Sequence, residues 1–202
     1  MEAETREKAG LYERIVGDRW QRLDEPVRRL HELSGRRCFE GDFEVGGARG
    51  LVARALKRLF GLPAAGEEVR VRLEVTPSEG GGHFEYWHRT FGGRAFVTEQ
   101  RDGGRGMLAE RAGPLEILFR VGELNGALVY RSARAALRLG PVRLPLPRTL
   151  APRVDAHERG APGGGGVSVY VCADAPLVGT LIAYKGVLRL EGEGAATEVE
   201  EG

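Results

Sequence analysis

The chain has 202 residues, 42% of them hydrophobic and 29% charged, which supplies a core and leaves no run apolar enough to span a membrane. Its 30 basic and 29 acidic residues nearly cancel, so no whole-molecule field gathers nucleic acid or anionic lipid and only local patches could do so. Cys38 and Cys172 are far apart and outside any C-x-x-C spacing, which argues against a disulfide framework or a structural zinc site; with a charged start and no export signal, this predicts a cytoplasmic protein with reduced thiols.

Leu11, Tyr12, Ile15, Val16, Trp20 and Leu23 recur at spacings of three and four, predicting an N-terminal helix whose apolar stripe needs a cover. Asp24 reads as the cap of a second helix, with Pro26 in its first turn, Val27, Leu30, His31 and Leu33 along it, and Ser34-Gly35 at its end. The period then falls to two. Phe39, Phe43 and Val45 share one side of a strand that closes at Gly46-Gly47. A third helix follows, with Leu51, Val52, Ala55, Leu56, Leu59 and Phe60 on one face, Arg49, Arg54, Lys57 and Arg58 on the other, and Gly61 and Pro63 as its stop.

Beyond Pro63 the chain reads as a meander of hairpins. Val69, Val71, Leu73 and Val75 point inward, and glycines at 80–82, 92–93 and 103–104 separate strands near 83–90, 94–101 and 105–111. Leu115, Ile117, Phe119 and Val121 lead to a turn at Asn125-Gly126 and a return through Leu128 and Tyr130. Residues 139–152 contain Pro141, Pro145, Pro147 and Pro152, whose missing amide donors predict an extended edge, a lid or a docking surface. A weak strand at 153–158 and the loop at 163–166 precede Val167, Val169 and Val171. Thr180, Ile182, Tyr184 and Leu188 form the last alternation, interrupted by Gly186 where a bend or a close approach is expected.

Helices that come early and strands that follow in series predict an α+β class: a curved antiparallel sheet or partial β-barrel of about eight to ten strands, with three early helices packed against it. A single domain is expected over residues 1–191, followed by a disordered acidic tail at 192–202.

The chemical motifs are sparse. The turn at Gly46-Gly47-Ala48-Arg49-Gly50 before a helix resembles a phosphate cradle, but the spacing is not G-x-G-x-x-G and no parallel unit follows. His83 and His88 stand an odd number of positions apart and face opposite sides of one strand, so they cannot share a metal. Asp155 and His157 share a face beside Glu158, yet no nucleophile or third ligand accompanies them. No serine sits in G-x-S-x-G. No catalytic residue, metal or cofactor is therefore assigned.

Aromatic and polar residues mixed on strand faces expected to point inward carry more information: Phe84, Tyr86 and His88, then Phe96, Thr98 and Gln100, then Phe119, Tyr130 and Tyr184. Side chains with an apolar body and a polar tip suit a cavity that holds a small apolar molecule by one polar end. Of these, Phe84, Tyr86, His88, Phe96, Phe119, Tyr130 and Tyr184 form the candidate ligand-binding set with Arg94 and Arg148; a core whose tyrosines reach the surface is the alternative.

Several short segments in order, Phe91-Gly92-Gly93-Arg94-x-Phe96, Glu110-Arg111-x-Gly113-Pro114-Leu115, Leu144-Pro145-Leu146-Pro147-Arg148-x-Leu150-x-Pro152 and Tyr184-Lys185-Gly186-x-Leu188, together with Leu11-Tyr12, resemble a bacterial family catalogued as domain of unknown function 4166. The resemblance spans nearly the whole chain. It implies relatives fused to oxidoreductases of the saccharopine dehydrogenase type, and hence an accessory or ligand-handling role; it carries no site residues.

Three functions are weighed. The leading one is a non-catalytic module enclosing an apolar small molecule or acyl chain. The second is an enzyme or substrate-holding domain in which His88, Arg94, Arg148, Asp155 and His157 converge. The third is a protein-interaction domain that docks an oxidoreductase through residues 139–152.

Overall fold

The computed structural model describes residues 9–32, 36–77, 84–176 and 178–191. Leu33, Ser34-Gly35, the glycines at 80–82, His83 and the acidic tail lie outside the described residues.

The alternating runs from residue 37 onward pair with their chain neighbours as antiparallel ladders. They are β1 (Arg37–Gly46), β2 (Gly66–Pro77), β3 (Phe84–Phe91), β4 (Arg94–Gly104), β5 (Met107–Ala112), β6 (Leu115–Leu124), β7 (Ala127–Leu139), β8 (Val142–Pro145), β9 (Arg153–Gly160), β10 (Val167–Ala175) and β11 (Gly179–Leu190). β1 also pairs with β11, from Phe39↔Leu190 to Gly46↔Ala183, so ten strands close a barrel and the expected partial barrel is complete. Closure removes the exposed edges of an open sheet. The ring runs β1 to β7, then β9, β10 and β11. β8 hydrogen-bonds to the far end of β7, from Ala136↔Pro145 to Leu139↔Val142, and stands outside the ring, as proline-rich edge segments do.

Two glycines let the closing seam approach. A Cβ on Gly41 would fall 1.9 Å from the Val187 carbonyl oxygen, and one on Gly186 would fall 2.5 Å from the Phe43 ring, which lies across the gap in the last strand's alternation.

One barrel end is plugged. The first helix is α1 (Leu11–Val16), which tightens into a 3-10 turn at Gly17–Arg22; α2 (Glu25–His31) follows. Leu11, Tyr12, Ile15, Val16, Trp20, Leu23, Val27 and Leu30 are all buried, so the predicted stripe is covered by the barrel. Asp24 stands at the N-cap of α2, but its carboxylate makes no capping bond and accepts from the Gly160 amide at 2.8 Å, while its own amide donates to the Gly126 carbonyl at 2.8 Å. The residue expected to cap a helix therefore ties the plug to the ends of β6, β7 and β9.

The third helix departs from expectation. α3 (Leu51–Leu59) joins β1 to β2 at the opposite end, and Ala53 is its buried residue. Leu51, Val52 and Leu59 are exposed while Leu56 and Phe60 are half-buried, so much of the predicted apolar face points away from the barrel.

Candidate binding site in the barrel lumen

A residue's partner across an antiparallel ladder lies on the same face of the sheet, so inward residues of one strand dictate those of the next. Val71, Leu73 and Val75 of β2 face Phe91, Arg89 and Trp87 of β3, which brings an arginine into the lumen between two aromatic rings. Thr98 and Gln100 of β4, Glu110 of β5, Tyr130 of β7, Glu158 of β9 and Tyr184 of β11 follow by the same alternation, and Tyr12 enters from the plug. Together with aliphatic and phenylalanine side chains they line a cavity of about 160 Å³.

The Arg89 guanidinium sits 4.8 Å from the Trp87 ring centroid, in cation–π range, and its side chain is 13% exposed. Its Nη1 donates to Thr98 Oγ1 at 2.9 Å and to Glu110 Oε1 at 3.4 Å. Nη2 and Nε have no protein acceptor among the described residues. Burial works against this charge, but Glu110, with Tyr184, Tyr12 and Glu158, more than offsets it and holds the guanidinium more firmly protonated than usual.

Toward the plug the polar groups are chained. Gln100 donates through Nε2 to Glu110 at 3.3 Å, and its Oε1 accepts from the Tyr12 hydroxyl at 2.6 Å. Glu158 accepts from the Tyr130 hydroxyl at 3.0 Å and meets His31 Nε2 at 2.5 Å, with the Tyr12 ring 3.8 Å from the imidazole. Burial, then the charge of Glu158, raises Tyr12 and Tyr130 well above the ordinary tyrosine range, and burial pushes Tyr184 up to about 12. All three hydroxyls therefore keep their protons and can donate. Under the plug, Glu85 is 1% exposed and accepts from the Trp87 indole at 3.2 Å; burial raises its carboxyl, against the pull of His31 and Trp87. His31 Nδ1 and Glu85 Oε1 are buried without a partner among the described residues.

This collection can hold and orient a molecule: apolar walls, one cation with spare donors, and fixed hydroxyls. Among the described residues, no group of three His, Cys, Asp or Glu side chains comes together to hold a metal.

Residues 23–188 match the family described as a domain of unknown function, DUF4166. The chain belongs to that family. No curated protein and no solved structure matches it.

In this DUF4166 chain the matched span contains α2 and every barrel strand but the last two residues of β11. Of the residues singled out in the sequence, Phe96, Thr98, Gln100, Phe119, Tyr130 and Tyr184 line the cavity together. Phe84, Tyr86 and His88 do not. Their expected inward orientation is corrected: Phe84 and Tyr86 are 38% and 39% exposed, His88 is exposed beside them, and the opposite phase of β3 carries Glu85, Trp87, Arg89 and Phe91 inward. Arg94 is exposed on the rim by α3, and Arg148 lines a separate surface groove with Arg120 and Ser132, so neither reaches the lumen. Asp155 and His157 face outward, Asp155 at 3.9 Å from Arg131 and His157 stacked on Tyr170, and the five groups of the enzyme reading do not converge.

Arg89, Glu110, Glu158, His31 and Tyr12 were not selected from the sequence. The alternation of Trp87 and Phe91 with Arg89 between them was the available signal for the first. A larger groove of about 830 Å³ lies outside the barrel between α2 and the ends of β1, β10 and β11. It is bordered by charged Glu25, Arg36 and Glu191. The chemistry concentrates in the lumen.

Proposed function

We propose that the barrel is a binding module for a small, mainly apolar molecule with one hydrogen-bond-accepting end, a carbonyl or carboxylate oxygen held by Arg89. The supporting observation is the guanidinium inside a mainly apolar cavity with two of its three nitrogens unused among the described residues. A cation can only donate, so the complementary group must accept. Size narrows the class. An apolar cavity of roughly 150 Å³ holds a benzene-sized molecule, so about 160 Å³ suits a single ring or a short branched chain, and a long acyl chain would have to extend through the mouth, the barrel end opposite the plug. Such a holder would serve beside an oxidoreductase, the partner that the resemblance implies.

The test titrates the protein with toluene, acetophenone and benzoate while following backbone amides by NMR. Acetophenone or benzoate should bind more tightly than toluene and move the amides around Arg89, Thr98 and Tyr184. Arg89→Met should abolish that preference, a loss of roughly ten- to a hundredfold for a hydrogen bond to a charged group. Equal affinity for all three probes, or lumen amides that none of them moves, would overturn the proposal.

A further inference from the structure

Much of the apolar face of α3 has no partner among the described residues, and its setting indicates what covers it. Leu51, Val52 and Leu59 are 77%, 64% and 63% exposed, and helical spacing places them with Ala55 on one outward stripe. Residues 47–65 contain Arg49, Arg54, Lys57 and Arg58 and no acidic residue, in a chain whose net charge is +1. Arg94, the first residue of β4, lines a groove with those four cations. Cations are therefore gathered beside the protruding apolar side chains.

A second element adds exposed apolar side chains on the same rim. The end of β7 and β8 form a hairpin beside the mouth, where Leu139 and Val142 are 56% and 51% exposed, while the neighbouring Arg138 and Arg143 are bonded to Glu116. β2 and β7 stand five strands apart in a ring of ten, so α3 and this hairpin flank the mouth from opposite sides. The helix presents protruding leucines with flanking cations, and the groove of about 720 Å³ beside it is lined by those cations and Arg94 and not by Leu51 or Leu59. The helix matches a surface that is apolar below and negative above, which is the interface of an anionic bilayer.

We propose that the mouth end of the barrel docks on anionic lipid membranes, with the leucine and valine side chains of α3 inserted among the acyl chains, its cations against the headgroups, and the β7–β8 hairpin as a second contact. This does not depend on which molecule the lumen holds. It would set the mouth against a membrane, a reservoir of apolar molecules.

The full chain is sedimented with vesicles of phosphatidylcholine alone and of equimolar phosphatidylcholine and phosphatidylserine. Binding is expected to the anionic vesicles, weakening as salt is added. Leu51→Ser with Leu59→Ser, and separately Arg54→Glu with Arg58→Glu, should each lower the partition coefficient by at least about tenfold. Both variants should melt with the parent, because the substituted side chains are exposed. No binding to anionic vesicles, equal binding to neutral ones, or binding that both variants retain would overturn the docking surface. Variants that bind vesicles normally but lose affinity for acetophenone would instead make α3 a lid over the mouth, which also overturns it.

Discussion

Glu116 is 2% exposed on the outer face of β6 and accepts from three arginines: Arg101 at 2.8 Å, Arg138 at 2.6 Å and Arg143 at 2.7 Å. Burial alone would raise its carboxyl, but the three guanidiniums outweigh burial and lower it from 4.5 to about 2. A depressed folded-state value means that the unfolded chain takes up the proton first. The stabilisation is therefore complete above about 4.5 and is lost as pH falls toward about 2. Glu116→Gln should lose on the order of 2 kcal/mol at neutral pH, discounted because the arginine ends are partly exposed. Urea unfolding across this range should show the variant converging with the parent at low pH; a constant gap between them would mean that the carboxylate charge is not what stabilises. The lumen shows the limits of reading single residues. On β3 both phases look suitable for a cavity, one with Phe84, Tyr86 and His88 and the other with Trp87, Arg89 and Phe91. The choice belongs to the register against Val71, Leu73 and Val75, which no single strand contains.

Elements were legible where a local period specified them. The strand at 69–75 and the proline-interrupted edge stand where periodicity or missing amides place them, and the N-terminal helix expected along Leu11 to Leu23 is α-helical to Val16 and 3-10 beyond it. What an element packs against was less legible, because a stripe shows that a face is apolar without showing what covers it. α1 is covered by the barrel and α3 is not, although both read as amphipathic. Asp24 makes the same point for a side chain, since its position predicts a cap and its carboxylate bonds to Gly160. Asp24→Ala should cost about 1–3 kcal/mol, the range for a buried donor left without its acceptor. Hydrogen exchange locates the effect: the Gly160 amide should lose protection while Val27 and Arg28, whose amides donate to the Asp24 carbonyl, keep theirs. Loss confined to Val27 and Arg28 would return Asp24 to the role of an ordinary cap.

At the scale of the whole molecule, closure rests on pairings that local patterns do not encode. Phe39 meets Leu190 across almost the full described chain, so the ring forms only when the last strand returns to the first. Such contacts carry a large loop-closure cost and should make folding slow for this size. Gly186 was visible as a gap in an alternation, and the structure gives the gap a content: Phe43, a lumen wall, lies directly opposite. Gly186→Ala would place a Cβ 2.5 Å from the Phe43 ring and 2.6 Å from the Asp42 carbonyl oxygen. The ring can shift only into the cavity, and the carbonyl only by moving the seam, so the variant should lose about 1–3 kcal/mol and part of its probe binding together. Phe43→Leu in the same chain would relieve the first clash and leave the second. A double-mutant cycle should therefore show partial recovery, with a coupling of about 0.5–3 kcal/mol. Full additivity would mean that ring and glycine do not share the seam, and a neutral Gly186→Ala would show that the barrel closes without this close approach.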